Sequence, residues 1–114
     1  MKLKIKRVYD VPEKTDGKRI LVDRLWPRGL SKENAAVDLW LKEIAPSDKL
    51  RKWFAHDPAK WAEFKDRYHV ELSHNNAMVN SLKEAIGHGP ATLVYGAKDE
   101  QHNQALVLLE LLQH

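Results

Sequence analysis

Hydrophobic residues recur along the chain in patterns that predict four short strands. Residues 2–9 alternate lysines with apolar side chains, which is typical of a strand with one solvent-exposed face. Within residues 19–25, the run Ile20-Leu21-Val22 is apolar on both faces and indicates a buried, central strand. Residues 91–95 form an apolar run of strand length, and residues 37–41 are a brief fourth candidate.

Helix signals fill the middle of the sequence. Ser31 is placed to cap a short helix, and Ser47 is placed to cap a longer one. Asp57-Pro58 is a strong helix start, because a capping carboxylate precedes a proline at the first helical position. From there, large side chains recur at spacings of three and four and form one apolar stripe: Trp61, Phe64, Tyr68 and Leu72.

Two more helices are predicted in the last third of the chain. The polar triplet His74-Asn75-Asn76 predicts a break, after which a helix spans residues 77–86 and ends at Gly87. A last, leucine-rich helix is expected to open at Asp99 or a neighbour and to run to the C-terminus.

The order of these elements predicts the fold class. A strand that is reached after a long helical crossover is most often parallel to its neighbour. We therefore expect an α/β fold with a small, mainly parallel sheet of three to four strands flanked by helices, in a single domain of residues 1–114. The direction of the first strand stays open, because Asp16-Gly17 is a hairpin signal in a loop that is longer than a tight hairpin needs.

Composition narrows the class of protein. Of the 114 residues, 43% are hydrophobic and 31% are charged, as in globular chains. The absence of cysteine excludes disulfides and thiolate nucleophiles. No apolar stretch has the length of a membrane span, and the N-terminal residues lack a secretory signal, so a cytoplasmic location is expected. The net charge of +3 and the pI near 9.2 favour anionic partners without choosing among them.

Several strings carry a family resemblance. Residues 6–10, the Asp16-Gly17 pair and residues 19–29 are similar to the signature of the YeaO-like proteins, which belong to the group called domain of unknown function 488. Further matching strings are Ala45-Pro46-Ser47, Leu50-Arg51-Lys52, His56-Asp57-Pro58, and Ala97-Lys98-Asp99 followed by Asn103. The resemblance covers nearly the whole chain.

The resemblance implies a small α/β protein of bacterial and archaeal distribution, without an established activity. Wider members of the group often carry a Cys-His-Arg triplet at the start of the last helix. This sequence has Asn103-Gln104-Ala105 at those positions. The chemistry that such a cysteine could support is therefore absent here.

Residues that follow the predicted strands are candidates for ligand binding, because ligands of open α/β sheets gather beyond the carboxyl ends of the strands. Arg24, Arg28 and Lys98 are predicted to form a cationic cradle, since guanidinium groups match phosphate and carboxylate geometry. Tyr9 and Trp26 are predicted to form a wall for a ring. Under the alternative interpretation, the two arginines pair with neighbouring carboxylates and only hold the loops in place.

Asp23 and His102 are the candidates for catalysis. Asp23 could act as a general base or hold magnesium together with Asp10 and Asp99, whereas the competing interpretation is a carboxylate that locks a neighbouring arginine or caps a turn. His102 and Asn103 are expected to face the same crevice as the cationic cradle. Asp99 is included among the ligand-binding candidates, and no metal ligand is assigned.

Other sequence features give weaker signals. His56-Asp57 resembles a histidine oriented by a carboxylate, but the N-cap role of Asp57 favours a structural interpretation. The sequence contains no dinucleotide-binding glycine motif, P-loop or nucleophile elbow. The cofactor is therefore unknown.

Three functions remain open at this point. The first is binding of a phosphate- or carboxylate-bearing small molecule in a basic crevice at the strand ends, with or without catalysis. The second is a nucleic-acid-binding regulator, suggested by the pI and by the lysines of the first strand. The third is a non-catalytic interaction or assembly module, in which the leucine-rich last helix either forms a homo-oligomer contact or is sandwiched inside the domain.

Overall fold

Four parallel strands form the centre of the protein, whose residues 2–113 are described by a computed structural model. The strands are β1 (Leu3–Arg7), β2 (Lys18–Leu21), β3 (Leu39–Trp40) and β4 (Ala91–Tyr95). They lie in the order β1-β4-β2-β3, and every neighbouring pair is parallel. This arrangement confirms the α/β class and the parallel sheet predicted from the sequence.

The first strand does not form a hairpin with the second. β4 lies between β1 and β2, with Ala91 opposite both Leu3 and Lys18. Gly17, which gave the hairpin signal, has a φ of +63°, and a Cβ there would lie 2.1 Å from the carbonyl oxygen of Pro90. Glycine is needed here for a close backbone approach to the segment that enters β4, and not for a tight turn between β1 and β2.

Within residues 2–113, five α-helices connect or cover the strands: α1 (Lys32–Ala35), α2 (Asp48–Phe54), α3 (Trp61–Ser73), α4 (Asn76–Ile86) and α5 (Gln104–Leu112). Ser31 and Ser47 cap α1 and α2 as predicted, since each side chain accepts a hydrogen bond from the backbone N–H three residues later. Asp57 caps a 3₁₀ turn, Pro58–Lys60, that leads directly into α3. The expected helix break at His74-Asn75 is also present.

The predicted start of the last helix at Asp99 is wrong, because α5 begins at Gln104 with Asn103 as its N-cap. The Asp99 carboxylate accepts hydrogen bonds from the backbone N–H groups of Gln101 and His102, at 2.8 and 3.1 Å. These bonds form a separate turn before the helix. The helix was expected to continue to the C-terminus, but α5 ends at Leu112. The last residue of the expected helix, His114, lies outside the described residues.

The two faces of the sheet are covered differently. One face carries the larger core, which Ile20, Leu93 and Tyr95 share with α2, α3, α4 and α5. The apolar stripe of α3 points into this core, where Phe64, Tyr68 and Leu72 are each at most 4% exposed. The other face has a smaller cluster formed by Val8, Leu21, Ala35 and Val94, with Trp26 and Trp40 packed against it.

The leucine-rich helix α5 is sandwiched inside the fold. It contacts β1, β4 and α3, and Ala105, Val107, Leu108 and Leu112 are buried. No large hydrophobic side chain of residues 104–112 is exposed. Burial within the chain is therefore sufficient to explain its apolar sequence. None of the described helices combines the length and the apolar character that crossing a membrane requires.

A charged cluster sits at the other end of β2. The side chain of Asp16 is completely buried, and its carboxylate contacts Arg19 at 2.7 Å, Lys4 at 3.1 Å and Lys6 at 3.2 Å. Lys6 also pairs with the exposed Glu13. Lys4 and Lys6, two of the lysines that suggested a nucleic-acid contact in the sequence, are thus engaged with carboxylates of their own chain.

Candidate functional site

A crevice with a volume of about 360 Å³ opens at the carboxyl edge of the sheet. This volume is within the range of small-molecule sites. Its walls come from segments that follow β1, β2, β3 and β4, together with the end of α2 and the start of α5. The polar and charged side chains that line it are Tyr9, Asp23, Arg24, Trp26, Arg28, Arg51, His56, His102, Asn103 and Gln104.

Seven of the nine site residues predicted from the sequence line this crevice: Tyr9, Asp23, Arg24, Trp26, Arg28, His102 and Asn103. Lys98 and Asp99 do not line it. Lys98 is exposed and, because α5 starts at Gln104, it does not lie directly before a helix N-terminus. The predicted cradle of Arg24, Arg28 and Lys98 is therefore not assembled as a unit around the crevice.

Asp23 is held in place from two sides. One carboxylate oxygen accepts a hydrogen bond from the backbone N–H of Gly96 at 2.8 Å, and the other accepts one from the side-chain amide of Gln104. A Cβ at position 96 would lie only 2.9 Å from this carboxylate, so glycine is required for the approach. Burial raises the pKa of Asp23, although these two hydrogen bonds oppose the shift.

Arg24 holds loops together, as the alternative interpretation proposed, but through backbone oxygens instead of carboxylates. Its guanidinium donates to the carbonyls of Pro46 at 3.2 Å and Ala45 at 3.1 Å. Arg28 is exposed at the rim, and its carbonyl accepts a hydrogen bond from the hydroxyl of Tyr9 at 2.9 Å. Of the two arginines, Arg28 is thus the more available to a ligand.

Trp26 packs as well as lining the crevice. Its indole N–H donates to the carbonyl of Leu30 at 2.7 Å, and its ring meets Trp40 edge-on at a centroid distance of 5.5 Å. Trp40 in turn donates to the carbonyl of Asp23 at 2.7 Å. The two tryptophans therefore fix the loop that carries Asp23.

His102 is oriented by a carboxylate. Its Nδ1 lies 2.8 Å from Asp99, and both side chains are 30% exposed. The ring also packs edge-on against Trp61, with 5.4 Å between centroids. The pKa of Asp99 is lowered, first by the backbone N–H of Gln101 and then by the His102 side chain. Asp99 thus acts on the crevice through His102 and not by lining it.

Asn103 is a buried helix cap, only 2% exposed. Its side-chain oxygen accepts a hydrogen bond from the N–H of Leu106 at 3.1 Å, while its amide donates to the carbonyl of Asp99 at 3.0 Å. Both functional groups of this side chain are already used. Its position beside the crevice is therefore explained by the structure of the Asp99–Gln104 segment.

We expect Asn103→Ala to lower the free energy of unfolding by about 1–2 kcal/mol, because the cap of α5 is lost. Asn103→Asp keeps the accepting oxygen and should be closer to the native stability. Chemical denaturation followed by circular dichroism measures both differences. Equal losses in the two variants would show that the bond to Asp99, and not the cap, is the important contact.

Three of the polar and charged residues that line the crevice were not selected from the sequence as site residues. Arg51 comes from α2, His56 from the loop after it and Gln104 from the first turn of α5. Ala55 and His56 both have positive φ angles, of 47° and 56°, and this turn after α2 brings His56 to the crevice. Arg51 and His56 do fall within strings that carried the family resemblance, and His56 was also considered as a histidine oriented by Asp57; these were the available signals.

Metal binding gains no support. Among residues 2–113, no three histidine, aspartate or glutamate side chains are grouped so that they could hold a metal ion. Asp23 already accepts two protein hydrogen bonds, and Asp99 accepts bonds from its own turn.

A parallel α/β sheet with a ligand-sized crevice at its carboxyl edge describes the class of protein, and comparison identifies the family within it. The chain belongs to the family described as "Inactive DUF488-N3 subclade", whose model matches residues 2–114. This result confirms the resemblance to the YeaO-like proteins.

Individual relatives extend the comparison. The chain is 45% identical over 113 residues to "Uncharacterized protein YeaO" of Escherichia coli (strain K12), with 99% of this chain and 98% of the relative covered. It is 38% identical over 111 residues to "Uncharacterized protein Rv3073c" of Mycobacterium tuberculosis (strain ATCC 25618 / H37Rv), with 97% and 93% covered. No solved structure matches the chain.

Proposed function

We propose that this protein binds a small molecule bearing a phosphate or carboxylate group in the crevice and does not convert it. The observation that carries the proposal is the charge of the lining. Among the described residues, the crevice is lined by three arginines, Arg24, Arg28 and Arg51, and by His56 and His102, whereas Asp23 is the one acidic residue that lines it. Cationic and imidazole groups that converge on a concave site are suited to an anionic ligand.

Binding without turnover is supported by how Asp23 and the residues at the start of α5 are used. Asn103 and Gln104 occupy two positions of the Cys-His-Arg triplet found in wider members of the group. Asn103 is committed to capping α5, and Gln104 is committed to Asp23. Asp23 in turn has a hydrogen bond to each oxygen, so it is a positioned carboxylate and not an unengaged general base. The description of the family as inactive agrees with this proposal.

The two competing functions have less support. Lys4 and Lys6 are paired with Asp16, which reduces the positive charge that a nucleic acid would meet on the first strand. Helix α5 is largely covered by its own chain, so its apolar sequence does not require a second copy.

The binding proposal is tested by titrating the ¹⁵N-labelled protein with inorganic phosphate, malate and ribose 5-phosphate. Saturable shifts should be concentrated at the backbone amide of Gly96, the side-chain amide of Gln104 and the indole of Trp26, because all three groups surround the crevice. Ribose, which lacks an anionic group, is the matched neutral probe and should give much smaller shifts. The ³¹P spectrum of ribose 5-phosphate should remain unchanged during long incubation.

Two results would contradict the proposal. One is the absence of saturable shifts around the crevice with all three anions. The other is the appearance of a new phosphorus signal in proportion to protein concentration, which would mean that the ligand is converted. A salt-dependent response to duplex DNA centred on Lys4 and Lys6 would favour the nucleic-acid function instead.

A further inference from the structure

On the basis of the proposed binding function, the residues of the crevice that hold the anionic group of the ligand can be identified. We propose that Arg51, with His56 beside it, holds the anionic group of the ligand, and that Asp23 accepts a hydrogen bond from a hydroxyl group elsewhere on the same molecule. The ligand class is therefore a hydroxylated oxyanion, of which a sugar phosphate is one form and a hydroxycarboxylate is another.

The first argument is an unsatisfied donor. Among the residues that the structure describes, the buried Nε of Arg51 has no hydrogen-bond partner. A buried donor without a partner is uncommon in folded proteins and is unfavourable. The rest of the Arg51 side chain lines the crevice and is 42% exposed, so a local adjustment of this side chain brings the N–H to an oxyanion bound there. By contrast, the Nε of Arg24, another arginine of the crevice, donates to the carbonyl of Pro46, and the Nε of the surface residue Arg67 donates to Glu63.

The second argument is that the guanidinium already has one protein partner before a ligand arrives. Its Nη2 donates to Asp48 at 3.0 Å, one turn earlier on α2. This pair is exposed to solvent, with 42% and 62% of the two side chains accessible, so it restrains Arg51 weakly and leaves Nε without a protein partner. Even a weak restraint reduces the side-chain entropy that is lost when an oxyanion binds.

The third argument concerns the loop that carries His56. Ala55 and His56, which are consecutive and are not glycines, adopt the left-handed conformation directly after α2. This conformation is unfavourable for both residues and tends to occur at functional sites. Its consequence is that the exposed His56 side chain lines the same crevice as Arg51 and lies near the ring of Phe54, with 6.4 Å between centroids.

The need for a hydroxyl group follows from Asp23. A carboxylate has about four lone-pair positions, of which the Gly96 N–H and the Gln104 amide use two. Arg51 and His56 are close enough to Asp23 to lower its pKa electrostatically, against the raising effect of burial. A ligand with only negative charge would therefore be repelled by Asp23, whereas a ligand hydroxyl can donate to it.

The direct test observes the side-chain Nε–Hε signals of arginine in the wild-type protein during titration with ribose 5-phosphate. The Arg51 signal should shift, and its hydrogen exchange should slow, as the N–H gains an acceptor. The Arg67 signal is the internal control, because its Nε already donates to Glu63 at 2.7 Å outside the crevice. An unchanged Arg51 signal during saturable binding would overturn the assignment.

Two variants test affinity. Arg51→Lys keeps the positive charge but removes Nε, and it should weaken binding of ribose 5-phosphate by about tenfold or more. Arg67→Gln removes a positive charge at the surface and should leave the affinity unchanged. If Arg51→Lys binds as tightly as wild type while the crevice signals still shift, the role of Arg51 is refuted and the general binding function stands. If the wild-type protein binds none of the anions, the binding function itself fails.

The hydroxyl requirement is tested by comparing probes. Ribose 5-phosphate should bind more tightly than inorganic phosphate, and malate more tightly than succinate, which lacks the hydroxyl. In Asp23→Asn, checked for native stability by thermal unfolding, the advantage of ribose 5-phosphate over inorganic phosphate should be reduced. Equal affinities within both wild-type pairs would refute the role of Asp23. Comparing the affinity for ribose 5-phosphate with the affinity for malate then distinguishes a phosphate ligand from a carboxylate ligand.

Discussion

Replacing Asp16 with asparagine should lower the free energy of unfolding by about 3–5 kcal/mol, because the change removes one partner of a buried ion pair. Asp16 and Arg19 are 0% and 3% exposed, and their side chains meet at 2.7 Å. Asparagine has nearly the same shape but no charge, so the buried Arg19 would lose its counterion. Urea denaturation at neutral pH, followed by circular dichroism, measures the difference.

The same carboxylate predicts how stability depends on pH. Burial alone would raise the pKa of Asp16, but hydrogen bonds from the Glu13 backbone and from Lys4, Arg19 and Lys6 outweigh burial and hold the pKa well below its usual range. The stabilisation is therefore complete above the unfolded-state pKa of about 4 and is lost as the pH falls further toward the folded-state value. Wild-type stability should decline below about pH 4, and Asp16→Asn should show a flatter profile there.

Glu13→Gln is the matched control for this prediction. Glu13 also pairs with Lys6, at 2.9 Å, but its side chain is 63% exposed. An exposed pair is screened by water, so the substitution should change stability little. If Asp16→Asn were equally mild, the bonds that Arg19 makes to the carbonyls of Ala35 and Val8 would be sufficient to hold this guanidinium.

The features that sequence analysis predicted well depend on short-range physics. The Ser31 and Ser47 caps and the Asp57-Pro58 start require only residues within one helical turn. The apolar run at 91–95 predicts a buried strand, and in the structure both faces of β4 are covered. The location of the crevice follows from the same reasoning, since parallel strands end at one edge of the sheet.

The features that sequence analysis missed depend on contacts between distant segments. Asp99 and Asn103 are both good N-cap residues, and the sequence alone does not show that Asp99 is used by its own turn and by His102. Similarly, the burial of Asp16 depends on residues from β1 and β2 that converge on it. In the sequence, Asp16-Gly17 looks like an exposed turn.

The site itself illustrates the same limit. Strand-end reasoning selects residues next to strands, and so it found Asp23 and Arg28 but did not select Arg51, which reaches the crevice from a helix. Arg24 was found as well, but its partners, the carbonyls of Ala45 and Pro46, are more than twenty residues away in sequence. Only the folded chain shows which arginine nitrogen is left without an acceptor.

Truncating Phe64 to alanine should lower the free energy of unfolding by about 3–5 kcal/mol, as expected for removal of a buried aromatic ring. Phe64 is 2% exposed and stacks on Phe54 with 4.2 Å between ring centroids. It also packs against Trp61 and Tyr68, so the cavity would open at the centre of an aromatic cluster. Thermal and urea unfolding give the size of the loss.

The position of this ring links stability to the proposed binding. Phe64 and Phe54 both line the crevice, and Phe54 is the last residue of α2, between Arg51 and His56. Phe64→Leu fills more of the space than alanine does and should lose less stability. Val70→Ala on the same helix, at a site that is 57% exposed, should have little effect. A Phe64→Ala protein that stays folded should also bind oxyanions less tightly, because the end of α2 loses its support. Unchanged affinity at reduced stability would show that the position of Arg51 does not depend on this ring.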